Sequence, residues 1–106
     1  MLYELRTYTL CPGGMGPWLE LYETQALPVL ASIESMHLVG YFRAETGLLN
    51  RVVHLWAYPD SRARDEALRS LAAHPEWLSR FVLPARPYLV AQESTLLSPA
   101  SFSPLQ

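Results

Sequence analysis

The chain has 106 residues, half of them hydrophobic and 17% charged, with a formal net charge of -2. That length suits one compact domain, 1–106, and the composition excludes a disordered chain. All eight basic residues are Arg, scattered apart from Arg62, Arg64 and Arg69, so no basic stripe is available for nucleic acid, and without Lys there is neither Schiff-base nor P-loop chemistry.

Cys11 is the only cysteine, which rules out an internal disulfide and suits a reducing, cytoplasmic compartment. It has no neighbouring His or Arg in sequence to activate it. The N-terminus enters a strand pattern at once, so no signal peptide is expected. No apolar run is long enough to span a membrane.

"YELRTYT" alternates with a two-residue period and is read as the first strand. "CPGGMGP" ends it with turn residues; its backbone amides could face an anion, but a plain turn is the default. A helix is expected from about Pro17 to Ser35, carried by Met15, Leu19, Tyr22, Ala26, Val29 and Ile33, with Pro28 kinking it or splitting it. "MHLVGYFRAE" forms the second strand, "TGLL" turns at Gly47, and "LLNRVVHLWAYPD" is the third strand. Glu45 and Asn50 flank that turn and are expected to close it by side-chain to backbone bonds.

Asp60 caps a second helix that runs to about Ala73, with Ala63, Ala67, Leu68 and Leu71 inward and the Arg and acidic residues outward. "HPEWLSRF" is a separate short helical turn, where Trp77 plugs the core edge or caps a pocket mouth. "PYLVAQESTLL" is the fourth strand, and the tail 99–106 has no period and is expected to be loose or draped over a neighbour.

The order β-α-β-β-α-β defines a ferredoxin-like α+β domain, an antiparallel four-stranded sheet of order 4-1-3-2 with both helices on one face. Tyr3, Leu5, Phe42, Val53, Leu55, Leu89 and Ala91 are expected to meet the helices. Glu4, Arg6, Tyr8, Val39, Tyr41, Arg43, Val52, His54, Trp56, Tyr58, Val90, Gln92 and Ser94 make up the other face. Left bare, that aromatic patch is unusual in a monomer, so a second copy is expected to cover it with C2 symmetry. The chain's main partner is thus itself, as a homodimer forming a dimeric α/β barrel.

The turn places Tyr41 opposite His54, Val39 opposite Trp56 and His37 opposite Tyr58. His37 then lies roughly 13 Å along the sheet from the His54–Tyr41 pair, too far to share a metal, and no other spacing suggests a metal site.

"YELRTYT", "LVGYFRAETGLLNRVVHLWAY" and "HPEW" resemble the NIPSNAP family over roughly Tyr3 to Pro99. The resemblance implies the dimeric α+β barrel fold and a stand-alone, bacterial-type member. Animal members of that family are associated with mitochondria and with proposed roles in vesicle transport and mitophagy signalling, which the resemblance does not carry to this chain. The fold is shared with small cofactor-free monooxygenases, stress-response barrels and haem-degrading enzymes, and a fold does not fix a function.

Two functions follow. In the first, the chain is a cofactor-independent enzyme, of oxygenase or isomerase type, on a small hydrophobic or aromatic metabolite. His54 is its acid or base, Tyr41 its partner, Arg6 or Arg43 the anion clamp, and Tyr8, Trp56 and Tyr58 further substrate contacts. In the second, the chain is a non-catalytic ligand-binding or protein-interaction module, with Arg62, Arg64 and Arg69 as a docking face. His54 and Tyr41 also fit a purely structural hydrogen bond, Glu4 and Arg6 a structural ion pair, and Trp56 and Tyr58 packing at a dimer seam.

Overall fold

The computed structural model describes residues 1–106. Strand β1 spans Leu2–Leu10, β2 His37–Arg43, β3 Arg51–Tyr58 and β4 Leu89–Leu97. They form one antiparallel sheet in the order β2-β3-β1-β4, the expected 4-1-3-2 arrangement. Helical turns fill the two crossovers, so the domain is ferredoxin-like α+β.

The first helical run contains α1 (Met15–Leu21), a π-helical turn (Tyr22–Ala26) and α2 (Leu27–Ala31). Pro28 has no N–H to offer, and the widened turn lies directly before it. There the Leu27 N–H reaches the Tyr22 carbonyl instead of closing a regular α turn. Helix α3 (Ser61–Ala73) starts as expected, with Asp60 Oδ1 accepting from the Ala63 N–H at 2.8 Å, and it buries Ala67 and Leu71. The segment after Pro75 is longer than a single turn. It runs through a π-helical turn (Leu78–Val82), α4 (Leu83–Ala85) and a 3-10 turn (Arg86–Tyr88) into β4.

The alternation in the strands is the expected one, but the faces are exchanged. The helices cover the aromatic face: Tyr8, Val52, Trp56 and Tyr58 belong to the buried core with Trp18, Tyr22, Val29, Leu30 and Phe81. Tyr3, Leu5, Phe42, Val53, Leu55 and Ala91 lie on the opposite face, where Phe42 is 61% exposed. The physical reason is size and polarity together. Aromatic rings bury more area than Leu or Val, and the helices add partners for polar groups on this face. Trp18 Nε1, for example, donates to the Tyr41 hydroxyl at 2.9 Å.

Leu89 departs from its expected companions and faces the helices, because the register slips between Thr9 and Leu10 and leaves Val90 unpaired. A second slip, between Leu38 and Gly40, sets Val39 out of the ladder. Tyr41 still pairs with His54 as expected, but Leu38 replaces Val39 opposite Trp56, and His37 meets Ala57 rather than Tyr58. Gly40 leaves room there for the Phe42 ring, which a Cβ would approach to 2.7 Å and push aside.

At the β2–β3 turn Gly47 has φ +76 as expected, and Asn50 also takes positive φ, at 62. Neither Glu45 nor Asn50 closes this turn with its side chain. The Asn50 carbonyl accepts from the Leu10 N–H at 2.7 Å, and Glu45 lies 3.8 Å from Arg43. Residues 98–106 bend back over one end of the open face, where the Tyr3 hydroxyl donates to the Gln106 carbonyl at 3.0 Å.

Candidate functional site

Strand alternation sends Glu4, Arg6 and Tyr8 from β1, and Val52, His54, Trp56 and Tyr58 from β3, under the helices. Arg6 and His54 are cross-strand neighbours, as are Glu4 and Trp56. This row has two distinct polar centres.

The first is His54, only 1% exposed. Trp56 Nε1 donates to its Nδ1 at 2.7 Å, so the Nδ1 lone pair is occupied and the ring proton belongs on Nε2. Tyr41 does not hydrogen-bond to His54; its ring stacks on the imidazole at 4.6 Å, while Tyr8 presents an edge at 4.8 Å. Burial in this aromatic cage drives the His54 pKa down to about 3, the Arg6 charge adds to that, and Glu4 opposes it. His54 is therefore neutral at physiological pH. Burial also raises the Tyr41 hydroxyl above its ordinary value, against the bond from Trp18, so it stays a phenol.

The second centre is Glu4, wholly buried. Arg64 from α3 grips both carboxylate oxygens, at 3.2 and 2.9 Å; Tyr58 donates at 3.1 Å, and Ser94 of β4 donates as well. Burial alone would raise this carboxyl. The bonds from Arg64 and Ser94, with the charges of Arg6 and Arg64, overcome it and hold the pKa at about 2. Arg64 was expected to face outward with its neighbours on α3. It turns inward because a buried carboxylate lies within its reach, and this breaks up the Arg62, Arg64, Arg69 docking face.

Beside these centres, over β1 and β4, lies a cavity of about 330 Å³. Arg6, Tyr8 and Gln92 line its sheet side, and Trp18, Leu68, Trp77, Phe81 and Arg86 are among the helical residues around it. The Arg6 guanidinium lies 5.4 Å from the centre of the Tyr8 ring. Glu4 is its nearest anion, at 4.0 Å and already held by Arg64, while Arg86 makes no ion pair. The site is thus mostly aromatic and aliphatic, with cations at its edge.

Of the residues singled out from the sequence, Arg6 and Tyr8 line this cavity, and His54 and Tyr41 lie next to them beneath it. Trp56 and Tyr58 are buried under the helices rather than at a seam between copies, because the helices cover their face. Trp56 contributes to a separate apolar groove beside β2, and Tyr58 binds Glu4. Arg43 stands apart at the exposed end of β2, beside Glu45. Trp18, Phe81 and Arg86 had no signal in the pattern, and Arg64 had one only for an outward docking face, since each reaches the site only through the folding of the crossovers.

Fold and site together define a ferredoxin-like α+β domain with an aromatic cavity between its sheet and helices. The NIPSNAP family profile matches residues 3–104, and the chain belongs to that family. It is 36% identical over 97 residues to human Protein NipSnap homolog 3A, covering 91% of this chain and 38% of that protein. The curated relatives it matches are longer throughout, and the chain spans 19% to 42% of their lengths.

Among solved structures, a NIPSNAP family protein of unknown function from Agrobacterium tumefaciens superposes with a TM-score of 0.93 at 37% identity, covering 100% of this chain and 94% of that one. SnoaB, a cofactor-independent oxygenase from Streptomyces nogalater, superposes with a TM-score of 0.65 at 18% identity, over 97% of this chain and 96% of its own, a likeness of fold alone.

Proposed function

We propose that this chain binds a small aromatic or otherwise apolar metabolite in the cavity beneath α3, and acts on it as a cofactor-independent enzyme of oxygenase or isomerase type. The observation that carries the reading is the composition of the cavity: Tyr8, Trp18, Trp77 and Phe81 offer ring faces and edges, while Arg6 and Arg86 supply positive charge. The fold likeness to a cofactor-independent oxygenase supports the reaction class. In this scheme His54 is a neutral hydrogen-bond donor and not the base, since Trp56 occupies its lone pair. The reacting proton would have to be one that the substrate itself loses readily.

The same observation favours a second reading, a non-catalytic binding module. His54 offers no free lone pair and Tyr41 is held as a phenol, so the pocket could simply hold its ligand. Trp fluorescence with 1-naphthol tests the shared part, because Trp18 and Trp77 both line the cavity. Saturable quenching is expected, and it should vanish in a folded Leu68→Trp variant whose new side chain fills the space. Oxygen uptake with bound 1-naphthol would favour the oxygenase; an isomerase would have to be sought with enolisable ketones. Binding without turnover in either assay would favour the module, and absence of binding would overturn both.

The assembly belongs to the same reading. A second copy is proposed over the open face, where Phe42 is exposed and Leu5, Val53 and Leu55 are half-buried, the chain's own tail lying beside Leu55. Burying such a patch is the reason for two copies. The lone thiol, Cys11, fits a reducing, cytoplasmic setting.

A further inference from the structure

Most buried polar groups in folded proteins are hydrogen-bonded, and each exception calls for a reason. This chain has two among its side chains: Arg6 Nε and His54 Nε2 are buried and have no hydrogen-bond partner within the chain, the nearest anionic oxygen to Arg6 Nε being Glu4 Oε2 at 4.0 Å, beyond hydrogen-bond reach. They belong to residues directly opposite each other on β1 and β3, on the same face of the sheet. Cross-strand neighbours place their Cβ atoms about 5 Å apart.

Both are donors. A guanidinium Nε can only donate, and His54 must carry its proton on Nε2 because Trp56 donates to Nδ1. Two buried donors side by side have a common complement, a single acceptor oxygen. Charge points the same way. Glu4 is fully engaged by Arg64, Ser94 and Tyr58, so the local set of Arg6, Arg64 and Glu4 carries one net positive charge, held by Arg6. Arg6 lines the cavity and His54 lies beneath it, both nitrogens being shielded in the ligand-free chain, so an acceptor entering there reaches them only by displacing the side chains that cover them.

We infer that Arg6 Nε–H and His54 Nε2–H form a two-donor receptor for one anionic oxygen of the cavity ligand, and that the natural ligand is an apolar ring system bearing a carboxylate, enolate or phenolate. This rests on the cavity reading above and narrows it to acidic aromatics. It also assigns His54 a task that needs no change of protonation: it polarises an oxygen. Placing that oxygen between fixed donors under a lid of aromatic residues stabilises its charge without reorganisation. Trp56 acts as a positioning residue, since its indole N–H fixes the imidazole tautomer that exposes a donor.

The test uses the intact protein, labelled with ¹⁵N, and two probes of matched shape: 1-naphthoate and its neutral isostere 1-naphthamide. Trp fluorescence gives their affinities, and NMR reads the ring nitrogens of His54. Naphthoate should bind about ten-fold or more tightly than naphthamide, as expected for a charge-assisted pair. Arg6→Met should collapse that ratio to about one, and Arg6→Lys should restore it only in part, because a point charge lacks the Nε donor. In the unsubstituted protein the Nε2 resonance should move markedly with naphthoate and less with naphthamide, whose carbonyl accepts without charge, a readout independent of how any variant folds.

Equal affinities for the two probes would overturn the receptor and leave the cavity reading standing. So would a naphthoate preference that survives Arg6→Met, or an Nε2 signal that ignores naphthoate. If neither probe binds, the cavity reading falls and takes the receptor with it.

Discussion

At the scale of single residues, two buried groups set the response to acid. His54 titrates near 6.5 in an unfolded chain, but burial lowers it to about 3 in the fold. A depressed base favours the unfolded state once protons are available. Its contribution is complete above pH 6.5 and drains away as pH falls toward 3. Glu4 takes over lower down, its contribution present above about pH 4.5 and lost as pH falls through about 2. Urea midpoints followed against pH should therefore decline from about pH 6.5 downward, and His54→Gln should flatten the upper part of that decline. The Trp18–Tyr41 bond gives a second residue-scale expectation. Tyr41→Phe keeps the ring and strips the acceptor, leaving a buried indole N–H unpaired, at a cost of about 1–3 kcal/mol in urea unfolding. Glu4→Ala should cost more, about 3–5 kcal/mol, because Arg64 then loses its carboxylate.

Among the elements, α3 is the simplest to examine. Its start depends on one side chain, since Asp60 alone caps the Ala63 N–H. Asp60→Ala should cost about 1 kcal/mol, a fall of about 4–8 °C in Tm for a domain of this size, with the sheet unchanged by circular dichroism. The cap was legible in the sequence because it needs only a short local pattern. The inward turn of Arg64, four residues further on, was not, because its partner Glu4 is 60 positions away. The first crossover divides in the same way. Pro28 marked the break, while the packing of Tyr22 against Trp18 and Tyr41 from the π-helical turn at Tyr22–Ala26 joins residues too far apart for a local pattern to show.

For the whole molecule, the open face of the sheet leads to a test of assembly. If a second copy covers Leu5, Phe42, Val53 and Leu55, sedimentation velocity should report the mass of two chains. Phe42→Glu, at a position already exposed, should then give a folded species of one chain. A single-chain mass for the unsubstituted protein would remove the second copy.

The sequence by itself determined the strands, their alternation, the antiparallel order and the pairing of Tyr41 with His54, because each follows from a period of two, a short turn or the family pattern. It could not tell which face the helices would take. Both sides carry apolar side chains, Tyr3, Leu5, Phe42, Val53 and Leu55 on one and Tyr8, Tyr41, Val52, Trp56 and Tyr58 on the other, so local patterning leaves either choice open. Only tertiary contact decided it. Trp18 reached Tyr41, and Arg64 reached Glu4 across 60 positions of chain. Tyr41 and Glu4 find their helical partners on that side alone, and a buried polar group without one is costly.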